Sequence, residues 1–259
     1  MLAKQRQSLI LDGLDRDGEV TVAGLAKRLA VTDETIRRDL AKLAERGRLV
    51  RTHGGAVRPT ATDEPPFAQR QSSHASEKHR IGRAAAQLVS AGEVIAIDAS
   101  TTGLEVARQL PEFPKDCPVT VVSNGLDAVR WLADRTDVKV VCTGGEFDAA
   151  GACFVGPLAE ASLRQFAFQK AFVSCAALDT TRGPSEASLS HAAIKRTFLA
   201  MADEAWLVAD SSKFGHRSGC YFAALNDFTG LVTDQPPMPE DTLRISEAGL
   251  TVHYAIPPA

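Results

Sequence analysis

Two groups of residues in this chain have types and spacing that suit chemistry. The first is a row of polar residues, each set directly after a short apolar run: Asp98-Ala99-Ser100-Thr101-Thr102, Ser123-Asn124-Gly125, Thr143-Gly144-Gly145-Glu146, Ser174-Cys175 and Asp210-Ser211-Ser212-Lys213. Hydroxyls, glycines, an amide and one lysine fit a small anionic ligand, most simply a phosphorylated one. Ser100, Thr101 and Thr102 precede a helical pattern whose free N–H groups and dipole would hold an anion. Gly144 and Gly145 let backbone come close to a ligand, and Lys213 offers positive charge to a phosphate. Asp98, Asn124 and Asp210 could accept hydrogen bonds from sugar hydroxyls or orient the lysine. Taken singly, each turn is explained by ordinary capping; their expected convergence on one edge of a sheet is what favours a ligand. The second group lies between Thr32 and Ala56, TDETIRRDLAKLAERGRLVRTHGGA. There Thr35, Arg37, Arg38, Lys42, Arg51 and His53 suit contacts with nucleic acid.

The elements that must position the second group are legible locally. Thr32 is a good N-cap, and Asp33 and Glu34 put negative charge in the first turn, where the helix dipole favours it. Ile36, Leu40 and Leu43 recur at helical spacing, which predicts a helix from Asp33 to Arg46, stopped by Gly47. Thr35, Arg37, Arg38 and Lys42 fall off the apolar stripe. Arg48 to His53 reads as a short strand and Gly54-Gly55 as a tight turn. Upstream, Val20 to Ala30 fits a short helix with Val22, Leu25 and Leu29 inward, after an Asp17-Gly18-Glu19 turn. Lys4 to Leu14 fits a first helix with Leu9 or Ile10 and Leu14 inward. Two short helices across a brief turn, followed by a strand pair, describe a winged helix-turn-helix, whose second helix enters the major groove of double-stranded DNA. Thr35, Arg37 and Arg38 lie in the half of that helix that meets base edges; Lys42, Arg51 and His53 are expected at phosphates or in the wing. A plain amphipathic surface helix with solvated arginines would explain Arg37 or Arg38 alone. Cap, stripe, basic face and ribbon together favour DNA.

Elements for the first group follow from Glu77 on, where helical patterns alternate with the runs Val94–Ile97, Val119–Val122, Val138–Val141, Ala171–Val173, Ala205–Ala209 and Leu231–Thr233. Short β-branched runs separated by helices predict a parallel sheet covered on both faces, and ligands of such sheets bind outside the carboxyl ends of the strands. The expected division is a DNA-binding domain at 1–58, a linker at 59–73 containing Pro65-Pro66, and an α/β effector-sensing domain at 74–259.

Charge agrees with that division. The 259 residues carry a net charge of −3, yet residues 1–58 hold 12 basic against 8 acidic side chains while the remainder holds 17 against 24. A basic head on an acidic body suits a DNA-binding module joined to something that is not one. The five cysteines form no C-x-x-C pair, and neither they nor the six histidines show metal-ligand spacing. The expectation is small buried thiols in a reducing compartment, no metal, no cofactor and no membrane span; the expected location is cytoplasmic.

Residues 4–57 resemble the N-terminal domain of DeoR-type regulators of bacterial sugar operons. The resemblance rests on Val22-Ala23-Gly24-Leu25-Ala26, Thr35-Ile36-Arg37-Arg38-Asp39-Leu40, and Gly47 through His53-Gly54-Gly55-Ala56. Residues 74–234 resemble the effector domain of the same regulators, a domain similar in fold to ribose-5-phosphate isomerases, glucosamine-6-phosphate deaminases and CoA transferases. The matching residues are Asp98 with Thr101-Thr102, Ser123-Asn124, Gly144-Gly145, Lys195 and Asp210-Ser211-Ser212-Lys213-Phe214-Gly215. The resemblance implies a repressor of a carbohydrate operon, released from operator DNA by a sugar-phosphate effector. It also has departures. Ser100 stands where the family usually has glycine, Ala176 where it has an acid, and His191, four positions before Lys195, where an acid is common. The phosphate-binding part is kept, and the part that would meet sugar hydroxyls is altered.

Two other functions compete. A sugar-phosphate isomerase or deaminase with an accessory DNA-binding head would need a carboxylate base over the sugar carbon, with Asp98, Glu146, Asp179 and Glu186 available. A DNA-binding scaffold without ligand is the third. The regulator is the reading adopted, with no catalytic residues. One head reads few base pairs, so a homo-oligomer, a dimer or tetramer, is expected.

Overall fold

The computed structural model describes residues 3–45, 49–57 and 65–255. The chain divides into two compact units, Met1–Pro65 and Pro66–Ala259.

In the first unit, α1 (Ala3–Asp17) leads to β1 (Glu19–Thr21), α2 (Val22–Leu29) and α3 (Asp33–Glu45), then β2 (Val50–Arg51) and β3 (Gly55–Val57). The strands form an antiparallel sheet in the order β1-β3-β2. Ile10, Leu14, Leu25, Ile36, Leu40 and Leu43 make one core and are each no more than 2% exposed. Ile10 faces inward and Leu9 outward, at 43% exposure. The helix expected from Val20 starts two residues later, because Val20 and Thr21 pair with Ala56 and Gly55. Thr21 then caps α2, its hydroxyl accepting from the Gly24 N–H at 3.1 Å. Leu29, expected to face inward, is only half-buried.

The wing corrects a second expectation. Gly55 is a strand residue rather than half of a turn, and neither it nor Gly54 has positive φ. A Cβ on Gly55 would lie 1.9 Å from the Val20 carbonyl oxygen, so close pairing with β1 demands the glycine. The ribbon closes through the Thr52 N–H on the Gly55 carbonyl at 3.0 Å. The strand read from Arg48 to His53 is two residues long here, Val50–Arg51. Arg46, Gly47 and Arg48 lie outside the described residues.

The second unit runs α4 (Phe67–Ser72), α5 (Ala75–Ala86), β4 (Val94–Ile97), α6 (Thr101–Gln109), β5 (Val119–Ser123), α7 (Leu126–Leu132), β6 (Val138–Cys142), β7 (Glu146–Asp148), β8 (Cys153–Val155), α8 (Pro157–Leu163), β9 (Phe168–Val173), β10 (Ala177–Asp179), β11 (Gly183–Glu186), α9 (Leu189–Ala200), β12 (Ala202–Val208), β13 (Cys220–Tyr221), β14 (Gly230–Thr233), α10 (Pro239–Glu247) and β15 (Thr251–Tyr254). Seven of these strands form one parallel sheet, ordered β15-β14-β12-β9-β4-β5-β6. Side chains alternate across it. Ile95, Ile97, Val121, Phe172 and Val208 pack under α5, α6 and α7, while Ala96, Val122, Ala171, Val173 and Leu207 pack under α8, α9 and α10. The result is a three-layer α/β/α body. From β4 the chain steps one way to β5 and β6, then returns to build β9, β12, β14 and β15 on the other side. The switch point therefore lies between β4 and β9, where such sheets open a crevice at the strand ends.

Within the stretch expected to be a linker, residues 67–72 form α4; Phe67 is buried in the body core and its N–H donates to the Ala150 carbonyl at 2.9 Å. The sequence reading also passed over the β7–β8 hairpin, the small β10-β11-β13 sheet, α10 and β15. These elements are short or half-exposed, and their hydrophobic periodicity is correspondingly weak.

Candidate DNA interface and effector site

Thr32 does cap α3: its hydroxyl accepts from the Thr35 N–H at 3.3 Å and lies 3.0 Å from the Thr35 hydroxyl. The apolar stripe of α3 is fully buried, which turns Arg37, Arg38 and Lys42 outward. Arg37 reaches back to Asp33 at 3.9 Å and Arg38 to Glu34 at 3.7 Å, with all four side chains more than half exposed. Such ion pairs contribute little and give way readily to a phosphate or a base edge. Arg51 and His53 are exposed on the wing, and Thr32 is exposed beside a half-buried Thr35. Asp39, inside the same motif, has a different job. It is buried, and it accepts from Arg6 Nε and, at 3.1 Å, from Gln7 Nε2, tying α3 to α1.

At the other site, the sheet order brings the ends of β12, β9, β4, β5 and β6 side by side. Several residues expected to touch a ligand also bond to one another. Asp98 Oδ1 accepts from the Ser100 N–H at 3.2 Å and the Ser100 hydroxyl at 2.5 Å; Oδ2 accepts from the Ser174 N–H at 2.9 Å and faces Lys195 Nζ at 3.0 Å. Lys195 Nζ also donates to Glu186 Oε1 at 2.5 Å and to the Ser174 carbonyl at 2.7 Å. An ammonium has three protons, and here all three have acceptors. Burial works to discharge Lys195, but Asp98 and Glu186 outweigh it, so its pKa is raised above the ordinary lysine value. Asn124 accepts from the Ala99 N–H at 3.0 Å and donates to the Phe154 carbonyl at 3.0 Å. The Ser123 hydroxyl accepts from the Gly125 N–H at 3.0 Å, and that of Ser100 caps α6 by accepting from Gly103 at 2.8 Å. Asp98, Ser100, Ser123, Asn124 and Lys195 thus tie the strand ends together through these bonds.

Gly145 likewise has an internal reason. Its φ is +118°, and a Cβ there would lie 2.7 Å from the Val155 carbonyl oxygen. Gly144, with φ +63°, faces open space.

What remains open lies elsewhere on the edge. Thr101 and Thr102, the first residues of α6, are buried, and their hydroxyls make no hydrogen bond with other described residues. Asp210 is 1% exposed; Oδ1 accepts from the Ser212 N–H at 3.0 Å and from its hydroxyl, while Oδ2 is buried with no hydrogen-bond partner among the described residues. Lys213 follows in the 3₁₀ turn Ser211–Lys213, half-buried and in no ion pair with a described residue. Sequence reasoning missed Lys78. It sits on the buried stripe of α5 with Ile81 and Ala85, and its Nζ donates to the carbonyls of Arg70 at 2.5 Å and Ser73 at 2.7 Å. Burial pushes its pKa down to about 8, partly offset by Asp210 and reinforced by Lys213. A lysine on an apolar helical stripe was the available signal. A cleft of about 460 Å³ opens at the same end of the sheet, lined by His74, Glu77, Arg80, Ser211, Asp234, Gln235 and Pro236. Asp234 holds Ser211 there through its N–H at 2.7 Å and its hydroxyl at 3.1 Å.

His191 meets neither Lys195 nor the residues above. Its Nε2 lies 2.8 Å from Asp148 Oδ2 and 3.6 Å from Cys153 Sγ.

Comparison with known proteins agrees with these two units. Residues 6–62 match the DeoR-like helix-turn-helix domain, and residues 73–235 match the DeoR C-terminal sensor domain. An uncharacterized HTH-type transcriptional regulator of Bacillus subtilis, YulB, is 37% identical over 90% of this chain and 90% of its own length. The L-fucose operon activator of Haemophilus influenzae is 35% identical, covering 89% of this chain and 91% of its own. The transcriptional repressor AccR of Agrobacterium fabrum is 34% identical, covering 89% of each chain. Among solved structures, ribose 5-phosphate isomerase A of Methanocaldococcus jannaschii aligns with 55% of this chain and 55% of its own at 17% identity, with a TM-score of 0.39. No described helix is long and apolar enough to cross a membrane. Matches to both domains in their expected order, and relatives aligned along almost the whole length, place the chain in the DeoR family of DNA-binding transcriptional regulators.

Proposed function

We propose that this chain represses a carbohydrate-metabolism operon, binding operator DNA through residues 1–58 and leaving it when a phosphorylated sugar or related metabolite binds residues 74–259. On the DNA side, Thr35, Arg37 and Arg38 meet base edges, and Lys42, Arg51 and His53 meet phosphates. The exposed, weakly paired arginines of α3 support this. The protein works in the cytoplasm as a homo-oligomer, since paired heads read two half-sites.

The effector reading rests on one observation: the buried Asp210 Oδ2 finds no donor among the described residues, while Asp210 and Lys213 both lie near enough to Lys78 to act on its charge. A sugar hydroxyl supplies the donor, and the two lysines favour the phosphate. Thr101 and Thr102, at the N-terminus of α6, add free hydroxyls and N–H groups. Asp98, Ser100, Ser123, Asn124 and Lys195 support the site from behind, without touching the ligand. The ligand releases DNA only by preferring the arrangement that binds operator poorly.

Catalysis has no support. Asp98 and Glu186, two of the carboxylates a sugar isomerase would need, are buried against Lys195. Of the other two, Asp179 accepts from the N–H groups of Thr181 and Arg182, and Glu146 is exposed at the start of β7. The test combines a thermal-shift screen of the purified protein against ribose 5-phosphate, glucosamine 6-phosphate, hexose phosphates and inorganic phosphate with fluorescence anisotropy on DNA recovered by in vitro selection. A sugar phosphate that stabilises the protein and lowers its DNA affinity is expected. Stabilisation by none of them, or turnover of any, overturns the proposal.

A further inference from the structure

We propose that Asp148, Cys153 and His191 form a binding site for a divalent transition-metal ion of the zinc class, with a fourth position open to water or an anionic ligand. The three residues come from β7, β8 and α9, and their ligating atoms all lie within 4.8 Å of one another. Thiolate, imidazole and carboxylate together suit zinc-like ions, whereas magnesium and calcium favour oxygen alone. Bond lengths of about 2.0–2.3 Å around a tetrahedral ion set neighbouring ligand atoms roughly 3.3–3.6 Å apart. The Nε2–Sγ separation of 3.6 Å already has that value. The Nε2–Oδ2 separation of 2.8 Å needs to open by roughly half an ångström.

The geometry also argues against a nucleophile relay. A cysteine–histidine–aspartate relay uses opposite ring nitrogens, the thiol on one and the carboxylate on the other. Here both partners meet Nε2. If that nitrogen carries a proton for Asp148, it has no lone pair for the thiol; if it keeps the lone pair, it faces an acceptor oxygen. An ion at the point of convergence removes the conflict.

The surroundings are built for convergence. The Ala150 N–H donates to Asp148 Oδ1 at 3.1 Å and the Gly151 N–H to Oδ2 at 3.2 Å, fixing the carboxylate as outer partners of metal ligands do. A Cβ on Gly151 would lie 2.8 Å from Asp148 Oδ2, 2.9 Å from Cys153 Sγ and 2.9 Å from the His191 ring, so only glycine lets the three close together. The sulfur is buried, while the Asp148 and His191 side chains are 32% and 15% exposed, which leaves an open side for the ion and a fourth ligand. One helical turn along α9, Lys195 faces two carboxylates, and this surplus of negative charge favours a cation. Sulfur binds the ion as thiolate, so ion binding must send the Cys153 proton to solvent as the sulfur–metal bond forms.

The test uses the full chain, stripped with a chelator and titrated with Co²⁺, then Zn²⁺. Expected are saturation at one ion per chain, a thiolate-to-cobalt charge-transfer absorption bleached by Zn²⁺, and release of about one proton per ion at neutral pH. Cys153→Ser should abolish the charge-transfer absorption, whereas Cys142→Ser and Cys220→Ser should keep it. Asp148→Asn and His191→Gln should each weaken binding by more than the roughly 10–100-fold that outer partners cost. Wild-type protein without a saturable absorption, or an absorption that survives in Cys153→Ser, overturns the assignment and leaves a hydrogen-bonded cluster only.

Discussion

Replacing Lys195 with methionine separates a structural ammonium from a ligand-binding one. The side chain is buried, its three protons go to Asp98, Glu186 and the Ser174 carbonyl, and Phe222 packs beside it at 5.5 Å. Methionine keeps most of the volume and removes the charge, leaving Asp98, 1% exposed, without the cation that faces it. Breaking a buried ion pair from one side costs about 3–5 kcal/mol. In a body of this size each kcal/mol lowers Tm by about 2–4 °C, so a fall of roughly 6–20 °C is expected. The pH dependence carries a sign. A carboxyl buried without a counter-charge favours its neutral form, so the folded variant binds more protons than the unfolded chain. Its stability is then retained at low pH and lost as pH rises. The deficit against wild type should therefore be largest near about pH 8 and shrink towards about pH 5. Urea denaturation at both values measures it. Sugar-phosphate affinity, measured where the variant is folded, should stay within a few-fold of wild type. A deficit below about 1 kcal/mol that ignores pH would be the behaviour of a solvated surface pair, and the account of Lys195 as an internal strut would be wrong. So would retained stability with lost ligand binding.

Arg38→Ala should cost about 1–3 kcal/mol of operator affinity if it makes a bidentate base contact, while Lys42→Ala should weaken all sequences alike and lower the salt slope by about one; anisotropy across a salt series reads both. Lys213→Ala should lose about 1.5–3 kcal/mol of affinity for a sugar phosphate that binds wild type, or one to two decades by calorimetry. Asn124→Ala, whose amide is spent on Ala99 and Phe154, should lower Tm and leave that affinity nearly unchanged. Lys78, at about 8 against its ordinary 10.5, sheds its proton earlier in the folded state than in the unfolded. Stability should rise as pH climbs through that interval, by up to about 3 kcal/mol, and Lys78→Met should abolish the rise. Phosphate affinity in wild type should fall over the same climb.

Helix α3 was legible because everything that defines it is local: a cap, a stripe at helical spacing and a basic remainder. The sheet was legible because β4, β5, β6, β9, β12 and β14 are continuous apolar runs. What escaped depends on distant partners. Val20 and Thr21 become a strand only because Gly55 and Ala56 lie against them. Asp98 gains its ion-pair partner only when Lys195 arrives from α9. A short polar residue after a strand looks the same whether it caps a turn or binds a molecule, so the internal bonds of Asp98, Ser123 and Asn124 have no signature in the sequence. Cys153 and His191 lie 38 residues apart and show no spacing signature, since the β8-to-α9 fold brings them together.

The switch in strand order sets a timetable for synthesis. β4 is flanked by β5, made soon after it, and by β9, made only after β6, β7, β8 and α8. Lys195 follows Asp98 by 97 residues, which at about 5–20 residues per second is roughly 5–20 s on the ribosome. Throughout that interval the nascent chain holds a carboxylate whose counter-ion does not yet exist, and until β9 (Phe168–Val173) is made it also holds an open strand edge on β4. Open edges of this kind invite pairing with other chains, so slowing translation between codons 98 and 195 should raise misfolding of this protein more than the same delay placed after 208.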